Sequence, residues 1–193
     1  VEMLLLVLGV AVFCLAHLFP ALLPAARDRV LERHGENRYR GLLSLLIVAS
    51  LVLIVVGWRN AVPSVVYATP LPPNPYTSVV ILVGLILFFA SQVPGNIKRF
   101  VRHPQMSGTV LWGVAHLLTN GDNRSVALFG GLTVWAILEI VLVNRREGEW
   151  LRPDTAASKF DLIAVVLGVA AFVLIGFFHE TLFGVAARGA PVA

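Results

Sequence analysis

The feature that most constrains this chain is the clustering of its apolar residues into long runs, separated by short segments that carry nearly all of the charge. Hydrophobic residues make up 58% of the sequence and charged residues only 13%, with a mean hydropathy of +0.83. Soluble domains carry roughly 25% charged residues. Runs of about 18 or more apolar residues are long enough to cross a bilayer as helices, and these runs lack the alternation of barrel strands. The sequence therefore predicts an all-α, polytopic transmembrane helical bundle.

We predict about six spans in a single transmembrane domain that covers residues 1–193. The spans are expected at about 4–24, 41–58, 78–94, 105–119, 125–143 and 161–180. The loop Asn120–Arg124 has the composition of a tight turn, so the fourth and fifth spans should form an antiparallel hairpin. The proline-rich connection Pro63–Pro75 is expected to be extended rather than helical, because proline removes a backbone donor and restricts the residue before it.

The basic residues alternate between the two sides of these predicted spans. The odd-numbered loops hold 12 of the 15 Lys and Arg residues: Arg27, Arg29, Arg33, Arg38, Arg40, Lys98, Arg99, Arg102, Arg145, Arg146, Arg152 and Lys159. The other segments hold Arg59, Arg124 and Arg188. Because cytoplasmic loops carry the excess of Lys and Arg, both termini are expected on the opposite, periplasmic side. No aromatic-basic patch indicates nucleic-acid binding, and the lipid bilayer is the expected partner.

Histidine is the residue type from which we expect chemistry. The two histidines that lie inside apolar runs are His17 and His116. Ionisable groups within a membrane are costly and usually face the bundle interior. Neutral imidazole is the commonest protein ligand for metals, and haem iron is often held by one or two histidines. Both residues are therefore candidate metal ligands. The alternative is that each only forms a hydrogen bond to a neighbouring helix.

A third candidate, His103, lies in the segment Arg102-His103-Pro104. Its separation of 13 residues from His116 corresponds to about 19 Å along one helix, so these two cannot ligate the same iron. The sequence leaves two pairings open, His17 with His116 and His17 with His103.

The remaining ionisable residues near span ends favour structural interpretations. His179 is expected to pair with Glu180 at the interface, and His34 is expected to be solvated. Glu139 lies about one turn inside the fifth span, where its side chain can snorkel or pair with a basic residue.

Three sequence elements resemble those of the NnrU family. They are Arg102-His103-Pro104, the W-x-x-x-H spacing from Trp112 to His116, and Asn120-Gly121-Asp122. The start of the chain agrees through Phe13, His17 and the run Arg38-Tyr39-Arg40-Gly41-Leu42, and the end agrees through the segment from His179 to Val185. The resemblance covers essentially the whole chain.

This resemblance implies a multi-pass protein of the bacterial inner membrane, associated with denitrification in the context of nitrite and nitric oxide reduction. The family is similar to the plant and cyanobacterial 15-cis-zeta-carotene isomerase, a haem b membrane enzyme whose histidines hold the iron. For this chain it implies haem b, with His17 and His116 as ligands and His103 as a substitute. If the chain is an enzyme, the implied activity is haem-dependent cis–trans isomerisation of a polyene, with a hydrophobic small molecule as substrate.

Two further alternatives remain open at this point. The Arg102-His103-Pro104 element also resembles the motif of isoprenylcysteine-type membrane methyltransferases, although Met106 stands where that motif has tyrosine. A non-catalytic membrane factor is the other alternative, since the sequence shows no acid–base pair and no nucleophile with its base. The sequence leaves open whether the protein is an enzyme.

Overall fold

The computed structural model describes residues 1–71 and 74–187, and the regular structure within these ranges is helical. Eight helices lie in the described residues: α1 (Glu2–Leu22), α2 (Pro24–His34), α3 (Glu36–Asn60), α4 (Pro75–Ala90), α5 (Pro104–Thr119), α6 (Asn123–Glu147), α7 (Lys159–Phe177) and α8 (His179–Phe183). A short 3₁₀ turn, Asn96–Arg99, precedes α5. The predicted all-α fold class is confirmed.

Four of these helices, α1, α3, α6 and α7, are long and apolar enough to cross a membrane. Between 11% and 28% of their most apolar windows is buried inside the protein, so most of their apolar surface faces outward. Extensive exposed apolar surface is typical of contact with a membrane. Helix α4 is apolar but shorter, with 16 residues, and α5 also has 16 residues. The count of six spans stays a prediction.

Six of the helices form a row in which each packs on its neighbours, in the order α3, α1, α6, α5, α4 and α7. Helix α6 therefore lies between α1 and α5, which carry His17 and His116. A hydrogen bond of 3.0 Å from Trp58 Nε1 to the carbonyl oxygen of Phe183 connects α8, which follows α7, to α3. This contact joins the two ends of the row.

Glycine allows the closest approach in this row, between α1 and α3. A Cβ atom on Gly57 would lie 2.7 Å from Leu6 Cα, and one on Gly9 would lie 2.8 Å from the Ile54 backbone nitrogen. These distances are shorter than any van der Waals contact. The two helix backbones can meet only because both positions lack a side chain, which is how small residues bring helices together in membranes.

The basic segment after α1 folds as a helix of its own, which the sequence analysis did not predict. Helix α1 ends at Leu22, and Pro24 takes the first position of α2, where its missing N–H costs nothing. Helix α2 ends at His34, and the next residue, Gly35, has a φ of +77° and turns the chain into α3. Helix α2 contains no buried residue, so it lies on the surface of the protein.

The predicted turn at Asn120–Arg124 contacts the predicted extended connection Pro63–Pro75. Residues 120–122 join α5 to α6, and these two helices pack together, as expected of a hairpin. The backbone N–H groups of Val66 and Tyr67 donate to the carbonyl oxygen of Gly121. The connection is non-helical at residues 63–71 and at Asn74, and Pro75 is the first residue of α4. Pro72 and Pro73 of that connection, and residues 188–193 with Arg188, lie outside the described residues.

The ends of the predicted spans shift by a few residues. The last span was predicted to run to residue 180, but α7 ends at Phe177 and a separate short helix starts at His179. The third was predicted to reach residue 94, whereas α4 ends at Ala90 and a turn follows.

Candidate functional site

The first candidate residue, His17, is held by its own helix and by α6. Its Nδ1 donates to the carbonyl oxygen of Phe13 at 2.8 Å, one turn earlier in α1. The ring centroid of Phe13 lies 4.2 Å from that of His17, and the ring of Trp135 lies 5.2 Å away. The Nε2 atom of His17 makes no hydrogen bond within the described part of the chain. We call His17, Phe13 and Trp135 the His17 site.

The second candidate residue, His116, has the same arrangement on α5. Its Nδ1 donates to the carbonyl oxygen of Trp112 at 2.8 Å. Its ring stacks on Phe129 of α6 with a centroid distance of 4.3 Å and an interplanar angle of 22°. No hydrogen bond to its Nε2 exists among the described residues. We call His116, Trp112 and Phe129 the His116 site.

The backbone of α6 is irregular beside the His116 site. Residues Val126–Gly130 form a π-helical turn, and Phe129 lies within it. Such turns are rare in proteins, and those that occur are often found at functional sites. The ring that stacks on His116 therefore comes from an irregular turn of α6.

The structure adds a third histidine that the sequence analysis had assigned to an interfacial pair. His179 does not bond to Glu180; its Nδ1 donates to the carbonyl oxygen of Val185 at 2.7 Å. Val185 packs against the apolar cluster that contains Trp58 and Phe129. His179 is also close enough to His116 to interact with it electrostatically. The two histidines therefore border one cluster of apolar side chains.

The spacing of the two sites along α6 limits how they can share a ligand. His17 contacts α6 at Trp135 and His116 contacts it at Phe129, six residues earlier. Six residues correspond to about 9 Å along a helix. The two imidazoles thus face α6 from different neighbours at different heights, and both pairings that involve His17 remain predictions.

His103 differs from the other candidates because its Nε2 is engaged. It is the residue before α5, whose continuous course to Thr119 places His103 and His116 at opposite ends of the helix, as predicted. Its Nε2 lies 2.8 Å from the Asn144 side-chain oxygen. The adjacent Arg102 donates to the carbonyl oxygen of Gly148 at 2.9 Å and lies 3.5 Å from the Glu147 carboxylate. These bonds tie the start of α5 to the end of α6.

Glu139 lies on α6 between the contacts of His17 and His103. It is one helical turn after Trp135 and five residues before Asn144. Its Oε2 is buried and has no hydrogen-bond partner among the described residues, so neither the expected pairing with a basic residue nor snorkelling to solvent is seen for that atom. The carboxyl group is within electrostatic range of His17, Arg146 and His103.

Within the described residues, the candidate histidines are separate nitrogen donors that do not form a cluster of metal ligands. Among residues 1–71 and 74–187, no group of three or more His, Cys, Asp or Glu side chains is arranged to hold a metal ion. A haem iron needs only one or two axial ligands. A ligating imidazole usually donates its other N–H to a carbonyl or carboxylate. His17, His116 and His179 each have that bond at Nδ1 and make no hydrogen bond through Nε2 within the described residues, whereas His103 is bonded through Nε2 and leaves Nδ1 as its unbonded nitrogen.

The Asn120-Gly121-Asp122 element connects α5 to α6 near the His116 site. Asp122 accepts from the backbone N–H groups of Arg124 and Ser125 at the start of α6, and from the Ser125 hydroxyl at 2.6 Å. The Arg124 guanidinium lies 4.8 Å from the ring centroid of Trp58. Burial raises the pKa of Asp122, but the bonds from Ser125 and the charge of Arg124 outweigh it, and the pKa falls below its usual range. The element is structural, and it fixes the end of α6 that carries Phe129.

These features define a class of protein: an all-helical chain with several helices long and apolar enough to cross a membrane, in which His17, His116 and His179 are each anchored through Nδ1. The chain belongs to the NnrU family, because the family model described as NnrU protein matches residues 5–187. Searches of curated proteins and of solved structures find no match to this chain.

His17 and His116 were predicted from the sequence as candidate ligands, and that role stays a prediction, whereas His179 was expected to pair with Glu180 and instead bonds to Val185. A signal was available, because His179 ends the sixth predicted span on the same side as the His116 end of the fourth. The bond between His103 and Asn144 joins residues 41 positions apart, and no local pattern indicates it.

Proposed function

We propose that this NnrU protein is a haem b protein of the bacterial inner membrane that acts in nitrogen-oxide metabolism. The observation that carries the proposal is the hydrogen-bond pattern of His17 and His116. Each imidazole donates Nδ1–H to a backbone carbonyl one turn earlier and keeps Nε2 without a hydrogen bond within the described residues. Iron held at Nε2 would supply redox and ligand-exchange chemistry.

The chain's own residues would perform two tasks at such a site. The carbonyl groups of Phe13 and Trp112 fix the tautomer that leaves Nε2 as a lone pair, and they raise its basicity. The rings of Trp135 and Phe129 cover the imidazoles with apolar surface. Such a shell excludes water and sets the local dielectric, on which the potential of a bound redox group depends.

The proposed role in denitrification rests on membership of the NnrU family. Its test is genetic. In a nitrate-respiring host that lacks its own copy, the wild-type gene should restore growth on nitrite, while His116→Ala should restore it poorly at equal protein level. Equal restoration by the two genes would separate the physiological role from the histidine site.

The cofactor proposal is tested on protein purified from haem-replete cells. We expect a Soret band, and a pyridine haemochrome assay should give haem b at close to one equivalent per chain. Folding is checked independently by a single size-exclusion peak and a helical circular dichroism spectrum. Folded protein that is colourless would remove the cofactor from the proposal and leave the non-catalytic membrane factor as the better interpretation.

A further inference from the structure

A cavity with charged side chains in its lining lies outside the histidine sites, where helix α2 meets the start of α3. Its volume is about 480 Å³, and it is lined by Arg27, Leu31, Glu36, Tyr39 and Arg40. Cavities that bind small ligands have volumes of about 300–1,000 Å³. The lining combines two guanidinium groups, one carboxylate, a phenol and an aliphatic side chain. We call it the α2–α3 cavity.

One side-chain atom of a lining residue lacks a hydrogen-bond partner within the described residues. The hydroxyl group of Tyr39 is buried and has no hydrogen-bond partner among the described residues. Buried polar atoms in native proteins are nearly always bonded, so an exception calls for a missing partner. A phenol can donate one hydrogen bond, and the missing partner can be an acceptor supplied by a ligand.

The two arginines are not committed to strong internal pairs. Arg27 lies 3.1 Å from Asp28 and Arg40 lies 2.6 Å from Glu36. The side chains in both pairs are largely exposed, with Arg27 43% and Arg40 73% accessible, and pairs of this kind are weak. Each guanidinium also has five N–H donors. Both therefore keep donors for an incoming anion, and arginine is well suited to phosphate because its planar fork matches two phosphate oxygens.

The position of the cavity identifies the source of the phosphate. Helices α1 and α3, which flank α2, are both apolar enough to cross a membrane. Helix α2 contains no buried residue, and the apolar run of α3 begins just after Arg40, at Gly41. The cavity thus lies where apolar helix surface gives way to charge, which is the level of lipid headgroups. Basic pockets at this level bind anionic lipids.

We infer that the α2–α3 cavity binds the phosphate group of an anionic phospholipid. Arg27 and Arg40 bind the phosphate oxygens, the Tyr39 hydroxyl donates to the ligand, and Leu31 contacts its apolar part. Glu36 faces the same cavity and opposes anion binding, which keeps the site at moderate affinity. The inference is independent of the haem proposal, because none of its residues belongs to the histidine sites.

The test is native mass spectrometry of the full chain, released from micelles that contain equal amounts of phosphatidylglycerol and phosphatidylcholine. We expect retained phosphatidylglycerol and little phosphatidylcholine. Arg27→Gln and Arg40→Gln should each reduce retention on the order of fivefold, since one arginine near an anionic surface contributes about 1 kcal/mol. Tyr39→Phe should reduce it less, and Glu36→Gln should increase it.

The matched control is Arg33→Gln, which removes the same charge from α2 at a residue outside the cavity lining. An equal loss with Arg33→Gln and Arg40→Gln would mean that general charge attracts the lipid and that the cavity does not bind it. Equal retention of both lipids would also overturn the inference. Displacement of phosphatidylglycerol by millimolar inorganic phosphate would identify a free phosphate site instead of a lipid site. Circular dichroism of each variant separates lost binding from lost folding.

Discussion

Removing the carboxylate of Asp122 should destabilise the protein through the start of α6. Asp122 precedes this helix and accepts from the backbone N–H groups of Arg124 and Ser125. Loss of such an N-cap costs about 1 kcal/mol. Asp122→Ala also leaves the Ser125 hydroxyl without its partner, and Ser125 is only 1% exposed. An unpaired buried hydroxyl costs about 1–3 kcal/mol, so the total loss should be about 2–4 kcal/mol.

The assay is thermal unfolding in detergent, followed by circular dichroism. For a chain of 150–250 residues, 1 kcal/mol shifts Tm by about 2–4 °C, so Asp122→Ala should lower Tm by roughly 5–15 °C. Asp122→Asn is the matched control. It keeps an oxygen acceptor for the cap and loses the charge, so its Tm should fall between those of the wild type and Asp122→Ala.

The same residue predicts a pH dependence. Its pKa in the folded protein lies below the ordinary value of 3.8, so its ionised form stabilises the fold above that pH. This contribution is lost as the pH falls through the lower folded-state pKa. Asp122→Asn should therefore flatten the decline of wild-type Tm below about pH 4. An Asp122→Ala protein that melts within about 1 °C of the wild type would refute the reasoning.

Three further predictions test the packing and the topology. Gly57→Ala should lower Tm by several degrees because its Cβ would meet the Leu6 backbone, whereas Gly41→Ala on the same helix meets nothing within 4 Å and should be neutral or stabilising; thermal unfolding of both decides, and equal losses would contradict the close approach. Trp58→Phe removes the donor to the Phe183 carbonyl, so limited proteolysis should cleave near α8 on the order of fivefold faster; an unchanged rate would show that the bond does not hold α8. Reporter fusions at Arg152 should behave as cytoplasmic and those at Val66 as exported; an exported signal at Arg152 would overturn the predicted span count.

Much of the helical framework follows from hydropathy, because lipid-facing helices must be apolar over nearly their whole length. Hydropathy does not indicate helix α2, because its sequence is polar and highly charged. Its local start and stop signals, Pro24 and Gly35, were nevertheless present. What sequence could not supply were contacts across the row of helices. The stacking of His116 on Phe129 and the bond between His103 and Asn144 depend on how α6 packs against α5.

The candidate histidines show the same difference between what a local sequence pattern indicates and what depends on packing. His17 and His116 stand out in the sequence because an ionisable side chain inside an apolar run is costly and usually has a function. Which ring nitrogen is bonded, Nδ1 in His17 and His116 but Nε2 in His103, depends on which carbonyl or amide oxygen each imidazole meets in the fold.

Absorption spectra of single histidine variants test whether imidazoles anchored through Nδ1, with no hydrogen bond at Nε2, hold haem b. His17→Ala and His116→Ala should each shift or abolish the Soret band and the α and β bands of the reduced protein. His103→Ala should leave them unchanged because the proposal places iron at an unbonded Nε2 and the Nε2 of His103 bonds to Asn144, and His34→Ala should do the same because His34 is exposed. A wild-type spectrum in both His17→Ala and His116→Ala, or its loss in His103→Ala alone, would contradict the account.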